Sequence, residues 1–287
     1  MKCKSIDESI FKDSSTLVLE DTNSLILIGQ GNTAEIYDYE GNTVIKLYRD
    51  GFPMQGVLKE YYVSRRVQDE YPMMPKALNV VTCKDRAGIL YEKIEGNDMF
   101  SAIRENPQSI RKIAKKLALI HAEIHEKSIE NIVSAKDKLI EEIKWTNDLL
   151  DDEKNKVIQL LCSLPDKDGL CHFDYHPGNI MMTESEYKVI DWMTACAGAP
   201  ASDIARTWLL LKYGELRNIG FLAWIRLEIV KLCLRRLYLK ESIRLLGVTK
   251  EDVRKWIVPV AAARLSEWLT DNERQKLLTL VRTGLKT

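Results

Sequence analysis

The hydrophobic pattern of this chain changes period near Gly96, and no single kind of secondary structure serves both patterns. From Thr16 to Ile94 apolar residues recur mostly at every second position, the period of a half-buried strand. Residues 24–29, 34–39 and 42–48 are short runs rich in Ile, Leu, Val and Tyr, separated by Gly-Gln-Gly-Asn and Glu-Gly-Asn turn signals. That pattern predicts an antiparallel meander, then a helix over 57–68 and a hairpin of 77–84 and 87–94 about Asp85-Arg86. After Gly96 the spacing is near 3.6, beginning with Ile110, Ile113, Leu117, Ile120 and Ile124 on one stripe. Further helices are expected at about 135–150 and 152–164, and from Ala201 onward with breaks near Gly214, Gly220, Gly247 and Pro259. Only 169–172 and 187–190 read as strands in that half. The expected fold class is α+β, with residues 1–96 forming a small lobe of five strands and one helix and residues 97–287 a larger, mainly helical lobe.

Composition narrows the partners. A chain of 287 residues with 45% hydrophobic content can build a real core, and 42 Lys plus Arg balance 42 Asp plus Glu. No net field draws it to nucleic acid or to an anionic membrane, so neither is expected as a partner. Residues 1–15 mix Lys2, Lys4, Asp7, Glu8 and Asp13, unlike a secretory signal. The apolar stretch 221–237 is broken by Arg226, Glu228, Lys231, Arg235 and Arg236, which a membrane span does not tolerate. A cytoplasmic location is expected. Six cysteines, at 3, 83, 162, 171, 196 and 233, show no zinc-binding spacing and read as reduced thiols, with Cys171 structural in spite of the adjacent His172.

Three segments carry chemistry. Gly29-Gln30-Gly31-Asn32-Thr33-Ala34 fits G-x-G-x-x-A, but it lacks the Gly-Lys-Ser/Thr ending of a P-loop. It is followed by alternating residues and a second turn, where a Rossmann motif needs a helix. What remains is a strand-loop-strand phosphate cover or an ordinary hairpin turn. Lys46 lies in the apolar strand 44–48, where an inward ammonium needs a partner; Glu60 on the next helix is the candidate, and a snorkelling surface lysine is the alternative. The third segment, 170–181, reads Leu-Cys-His-Phe-Asp-Tyr-His-Pro-Gly-Asn-Ile-Met and is followed by Val189-Ile190-Asp191-Trp192. Asp174, Asn179 and Asp191 are the set phosphoryl transfer needs: a carboxylate to orient and deprotonate a hydroxyl, and hard oxygen ligands for Mg2+. His121 and His125 have a spacing able to hold zinc, but the sequence offers no third ligand, and packing is the simpler reading.

His172-x-Asp174-x-x-x-x-Asn179, with Ile190-Asp191-Trp192 and the downstream stretch from Gly198 through Pro200 and Asp203 to Arg206, resembles the aminoglycoside phosphotransferase and choline kinase family. Order and spacing agree for the glycine loop, Lys46, Glu60 and the stretch 90–96. The resemblance covers roughly residues 24–210 and implies a two-lobed protein-kinase-like fold with ATP or GTP and Mg2+ between the lobes. It further implies Asp174 as catalytic carboxylate, Asn179 and Asp191 as metal ligands, and Lys46 as a phosphate anchor held by Glu60. Gly29 and Gly31 would cover the phosphates, and the Glu92 carbonyl and Ile94 N–H would meet the base, with Tyr91 at the gatekeeper position. His172 would brace the loop, and Asp203 would tie a helix start to it. The family often has Gly where this chain has Phe173 and Leu where it has Tyr175, so bulk beside Asp174 is expected to narrow the acceptor pocket.

The expected function is transfer of a γ-phosphoryl group to a hydroxyl of a small molecule. An inactive nucleotide-binding module working through a protein partner is the rival, although Lys46, Asp174, Asn179 and Asp191 are all present. A protein kinase is disfavoured because Asp191 is followed by Trp192 and no Ala-Pro-Glu occurs. Residues 203–240 hold three acidic against eight basic residues, which disfavours a polycationic acceptor such as kanamycin. Glu228 and Glu267 are carboxylates able to point inward, and Trp192, Trp208 and Trp224 are candidates to line an acceptor pocket.

Overall fold

A computed structural model describes residues 16–286 except 24, 185 and 216–219, and for residues 221–224 the backbone alone. The reading of residues 1–15, the strand start at Ser24, Cys3 and the side chain of Trp224 lie outside the described residues. The chain divides into two compact units, Met1–Glu95 with Lys188–Met193, and Gly96–Tyr187 with Thr194–Thr287. The sequence pattern placed 188–193 with the helical half; it belongs with the first unit.

The first unit contains β1 (Leu17–Leu19), β2 (Ile26–Gln30), β3 (Ala34–Tyr39), β4 (Thr43–Tyr48), α1 (Met54–Glu70), β5 (Ala77–Cys83) and β6 (Arg86–Glu92). They form a six-stranded sheet in the order β1-β5-β6-β4-β3-β2. All neighbours are antiparallel except β1, which runs parallel to β5 and was not expected from the sequence. The period of two in β4 sorts its side chains. Ile45 and Leu47 join Val81, Cys83 and Leu90 on one face, which Leu17 and Leu19 of β1 help to cover. Tyr48 joins Val57 of α1, Ile89 and Tyr91 on the other, with Val44 packed against them. Each such side chain contributes about 1.5–3 kcal/mol by leaving water. Lys46 falls on the α1 face by the same alternation. On α1 the buried residues include Val57, Glu60, Ser64 and Val67, spaced three and four apart, so Glu60 points at the sheet for the same reason as its apolar neighbours. Gly88 of β6 keeps the Lys46 backbone close: a Cβ there would sit 2.5 Å from the Lys46 carbonyl oxygen.

The second unit opens with β7 (Asn97–Asp98) and α2 (Met99–Glu105), the latter capped by Asp98, whose carboxylate accepts from the Phe100 and Ser101 N–H groups. It continues with α3 (Ile110–His125), α4 (Ala135–Trp145), α5 (Asp151–Ser163), β8 (Gly169–Cys171) and β9 (Ile180–Met182). β7 pairs with β9. After β10 (Tyr187–Val189) come β11 (Cys196–Gly198), paired with β8, and then α6 (Pro200–Tyr213), α7 (Phe221–Leu246), α8 (Lys250–Arg264) and α9 (Asp271–Gly284). α3 packs along α7, and α6 along α8. Two expectations are corrected. Helix α4 stops at Trp145, five residues before the expected end at 150, because Thr146 is extended (ψ 139°) and Asp148 turns back on its hydroxyl. Pro259 lies buried inside α8 and does not break it; the break falls at 265–270, where the Thr270 hydroxyl caps α9. No helix among the described residues is long and apolar enough to cross a membrane.

Candidate active site

In the first unit one ammonium is shared by two carboxylates. Lys46 Nζ donates to Glu60 Oε1 at 2.8 Å and to Asp191 Oδ1 at 3.1 Å. Burial alone would push this lysine's pKa down, but the Asp191 and Glu60 charges outweigh it and hold the ammonium above its ordinary range. Glu60 is fixed in turn by two phenols: the Tyr48 hydroxyl donates to Oε2 and the Tyr91 hydroxyl to Oε1 at 3.0 Å. Burial, and then the Glu60 charge, push both phenols up, so both stay donors. Tyr48 and Tyr91 were not read as a support for Glu60. The signal was available, since Tyr48 follows Lys46 by two residues and shares its face.

Asp191 stands at φ 65°, a left-handed backbone uncommon outside glycine that aspartate tolerates better than most residues. The next residue, Trp192, is 1% exposed, packs against Tyr71 and donates its indole N–H to the Val189 carbonyl. As a core residue of the first unit it is no candidate for an acceptor surface. Gly29 and Gly31 sit in the β2-β3 hairpin, with a bulge between Leu27 and Gly29. A Cβ on either would meet only ordinary contacts, so packing does not demand glycine there. The Gly31 N–H donates to the Ala34 carbonyl, and the Gly31 carbonyl accepts from Arg49. Glu92 closes β6 with its N–H on the Lys76 carbonyl, and Ile94 follows in irregular chain.

In the second unit Asp174 and Asn179 face one another across a tight loop. Asn179 Nδ2 donates to the Asp174 carbonyl at 2.9 Å and to Asp174 Oδ2 at 3.2 Å, which turns the amide oxygen the other way. The Asp174 N–H rests on His172 Nδ1 at 3.2 Å. Beneath lies Asp203, wholly buried near the start of α6. Its carboxylate accepts from the His172 N–H at 2.6 Å, the Phe173 N–H at 3.0 Å and His121 Nε2 at 3.0 Å. Phe173 stands at φ 61°, and its carbonyl accepts from Arg206 Nε at 2.9 Å, so the strained residue is held from both sides. Phe173 and Tyr175 are both buried in the core, Tyr175 stacked on His121 with its hydroxyl on the Leu117 carbonyl. They do not narrow an acceptor pocket, contrary to the sequence expectation. Asp203, Arg206 and Thr207 lie at i, i+3 and i+4 of α6, and all three bond this loop; that spacing was the unread signal.

Asp203 also stands near both ring nitrogens weighed for zinc, the three residues forming a buried group able to surround a cation. His121 is committed to other bonds, Nε2 to Asp203 and Nδ1 to the Tyr238 hydroxyl at 2.6 Å. His125 is pushed down to about 3, first by burial and then by His121, against the pull of Asp203, and is therefore neutral in the fold. An unfolded imidazole titrates near about 6.5, so below that pH the unfolded chain binds a proton the folded chain refuses. Stability should fall with acid by up to about 1.4 kcal/mol per pH unit between about pH 6 and 4. The lowered carboxyl of Asp203 acts in the same direction below about 3.8. Urea titrations of His125→Gln should show that slope reduced by about one proton, and an unchanged slope removes His125 from this role.

The fold, a six-stranded sheet in one unit and helices in the other, has a kinase-like architecture. Residues 24–224 match the phosphotransferase enzyme family, to which the chain belongs; it is a small-molecule kinase of that family. Among solved structures the fold is shared with amicoumacin kinase hAmiN in complex with AMP-PNP, Ca2+ and Ami, at 13% identity and a TM-score of 0.58, over 98% of this chain and 93% of that one. It is shared with the streptomycin–ATP–APH(2")-IIa ternary complex, at 15% identity and a TM-score of 0.55, over 98% and 97% of the two chains. A choline/ethanolamine kinase family protein from Mesorhizobium loti follows at 15% identity and a TM-score of 0.53, over 92% and 88%. No curated protein matches the chain.

Proposed function

We propose that this enzyme transfers the γ-phosphoryl group of ATP or GTP to a hydroxyl of a small molecule, with Mg2+ as cofactor. The observation that carries the reading is Lys46, whose ammonium is gathered by carboxylates 14 and 145 residues away along the chain. An ammonium kept charged and aimed by Glu60 suits the α- and β-phosphates. Gly29 and Gly31 cover the phosphates, and Glu92 and Ile94 meet the base. Asp174 takes the proton of the acceptor hydroxyl, with His172 and Asp203 fixing the backbone that carries it.

The donors assigned to the metal, Asp191 and the amide oxygen of Asn179, are hard oxygens, which fits Mg2+ and not a soft cation. When bound, the ion supplies neutralisation of phosphate charge. Asp191→Ala should abolish the Mg2+ dependence of nucleotide binding, read by calorimetric titration with and without EDTA; a wild-type isotherm indifferent to EDTA would sink the assignment. The activity itself is tested by ADP release across a panel of hydroxyl compounds, and a rate no higher than without acceptor for every compound, with nucleotide still bound, favours the inactive module instead.

A further inference from the structure

The second unit holds a pocket of about 440 Å³ that neither the sequence motifs nor the catalytic clusters account for. It is built from the end of α4 and the connection into α5, with Trp145 and Asp148, from the α8–α9 connection, with Glu267 and Trp268, and from the first turn of α9, with Arg274. That volume suits a single small organic molecule. Two observations give its chemistry. First, both tryptophans stand open, Trp145 at 78% and Trp268 at 93% exposure, so two indole faces border one concavity. Indoles left in water at a cavity rim are poised to bind a ring. Second, the carboxylates are already matched. Asp148 is bonded by Arg274, and Glu267 is held by Arg206 Nη1 at 2.6 Å and Arg264 Nε at 3.4 Å. Burial would raise the Glu267 carboxyl, but the Arg206 and Arg264 guanidiniums draw it below its usual range. Its remaining lone pairs can accept from a ligand hydroxyl, while no surplus negative charge is left to attract a polycation.

The pocket is also tied to the loop before Asp174. The same Arg206 that grips Glu267 donates through Nε to the Phe173 carbonyl. One rigid, planar side chain therefore sets the distance between the pocket wall and the residue preceding the proposed base.

We propose that this pocket is the acceptor site and that it takes a neutral ring-bearing alcohol, the ring laid against Trp145 or Trp268 and a hydroxyl bonded to Glu267. The proposal rests on the phosphotransferase reading above. In the transfer the acceptor hydroxyl gives its proton to Asp174, and its oxygen bonds the γ-phosphorus. The bond from that phosphorus to the β-bridging oxygen breaks, and the nucleoside diphosphate leaves with the electron pair.

The test uses the full 15N-labelled chain saturated with ADP, its indole N–H signals assigned from Trp145→Phe and Trp268→Phe. Methyl pyranosides and inositols form one arm, nucleosides a second, and choline and kanamycin the contrast, all at millimolar concentration. At least one ring alcohol should shift a Trp145 or Trp268 signal, with an affinity lowered about tenfold when the responding tryptophan is replaced by alanine, and the responding arm tells sugar from base. No response to any ring alcohol, or a stronger response to kanamycin or choline, overturns the proposal. The phosphotransferase reading fails separately. If turnover survives Asp174→Asn, the indole response still stands as binding; if the indoles are silent in an enzyme whose turnover depends on Asp174, the pocket assignment alone is lost.

Discussion

Asp174→Asn should lower turnover by about a hundredfold to ten-thousandfold while leaving nucleotide affinity nearly intact, the range for loss of a positioned general base. The substitution is close to isosteric. The loop's backbone bonds, Asp174 N–H to His172 Nδ1 and Asn179 Nδ2 to the Asp174 carbonyl, do not involve the carboxylate. What is lost is the oxygen able to take a proton, since an amide has no such capacity near neutral pH. Of the residues assigned to nucleotide and metal, Asn179 alone bonds the Asp174 carboxylate, and its amide keeps its bond to the Asp174 carbonyl and can meet the new amide oxygen in place of the old carboxylate. Single-turnover kinetics on nucleotide-saturated enzyme separate the two quantities. Turnover equal to wild type removes Asp174 from the role, and a parallel loss of nucleotide affinity shows instead that the loop has collapsed.

The clusters differ in how far they could be read from residues alone. Lys46 and Glu60 were legible because alternation in β4 and the three-four spacing of α1 each fix a face, and the faces must meet where one helix covers one sheet. Asp174 and Asn179 were legible because their spacing lies within one short loop. β1 was not, because three residues carry little periodic signal and its parallel partner β5 lies more than sixty residues away. The pairing of β8 with β11 was missed for the same reason, both being three residues long. Helix α2 offered Asp98 as a cap, but its seven residues are too few to establish a period. Pro259 was read as a breaker on local grounds, and tertiary packing overrode that preference. Arg206 ends a motif, yet its partner Glu267 belongs to a connection 61 residues further on, which no local rule reaches.

Asp203→Ala should cost about 3–5 kcal/mol of stability, the range for removing one member of a buried, hydrogen-bonded charge cluster. Three donors depend on this carboxylate: the N–H groups of His172 and Phe173, and His121 Nε2. All three belong to residues at most 1% exposed, where no water stands ready to replace the lost acceptor. The strained backbone of Phe173 would lose its hold from below and keep only Arg206 from above. Against a total of about 5–15 kcal/mol the loss can prevent folding, so Asp203→Asn is the second arm. It keeps one oxygen, enough for one of the two backbone N–H groups, and should lie between the wild type and Asp203→Ala in urea midpoint. It should also turn over more slowly at a temperature where it remains folded, because the backbone that carries Asp174 is then held by fewer bonds. A Tyr238→Phe control removes only the hydroxyl on His121 Nδ1 and should cost about 1 kcal/mol. A midpoint for Asp203→Asn equal to wild type, with turnover also unchanged, would show that the loop is held without this carboxylate.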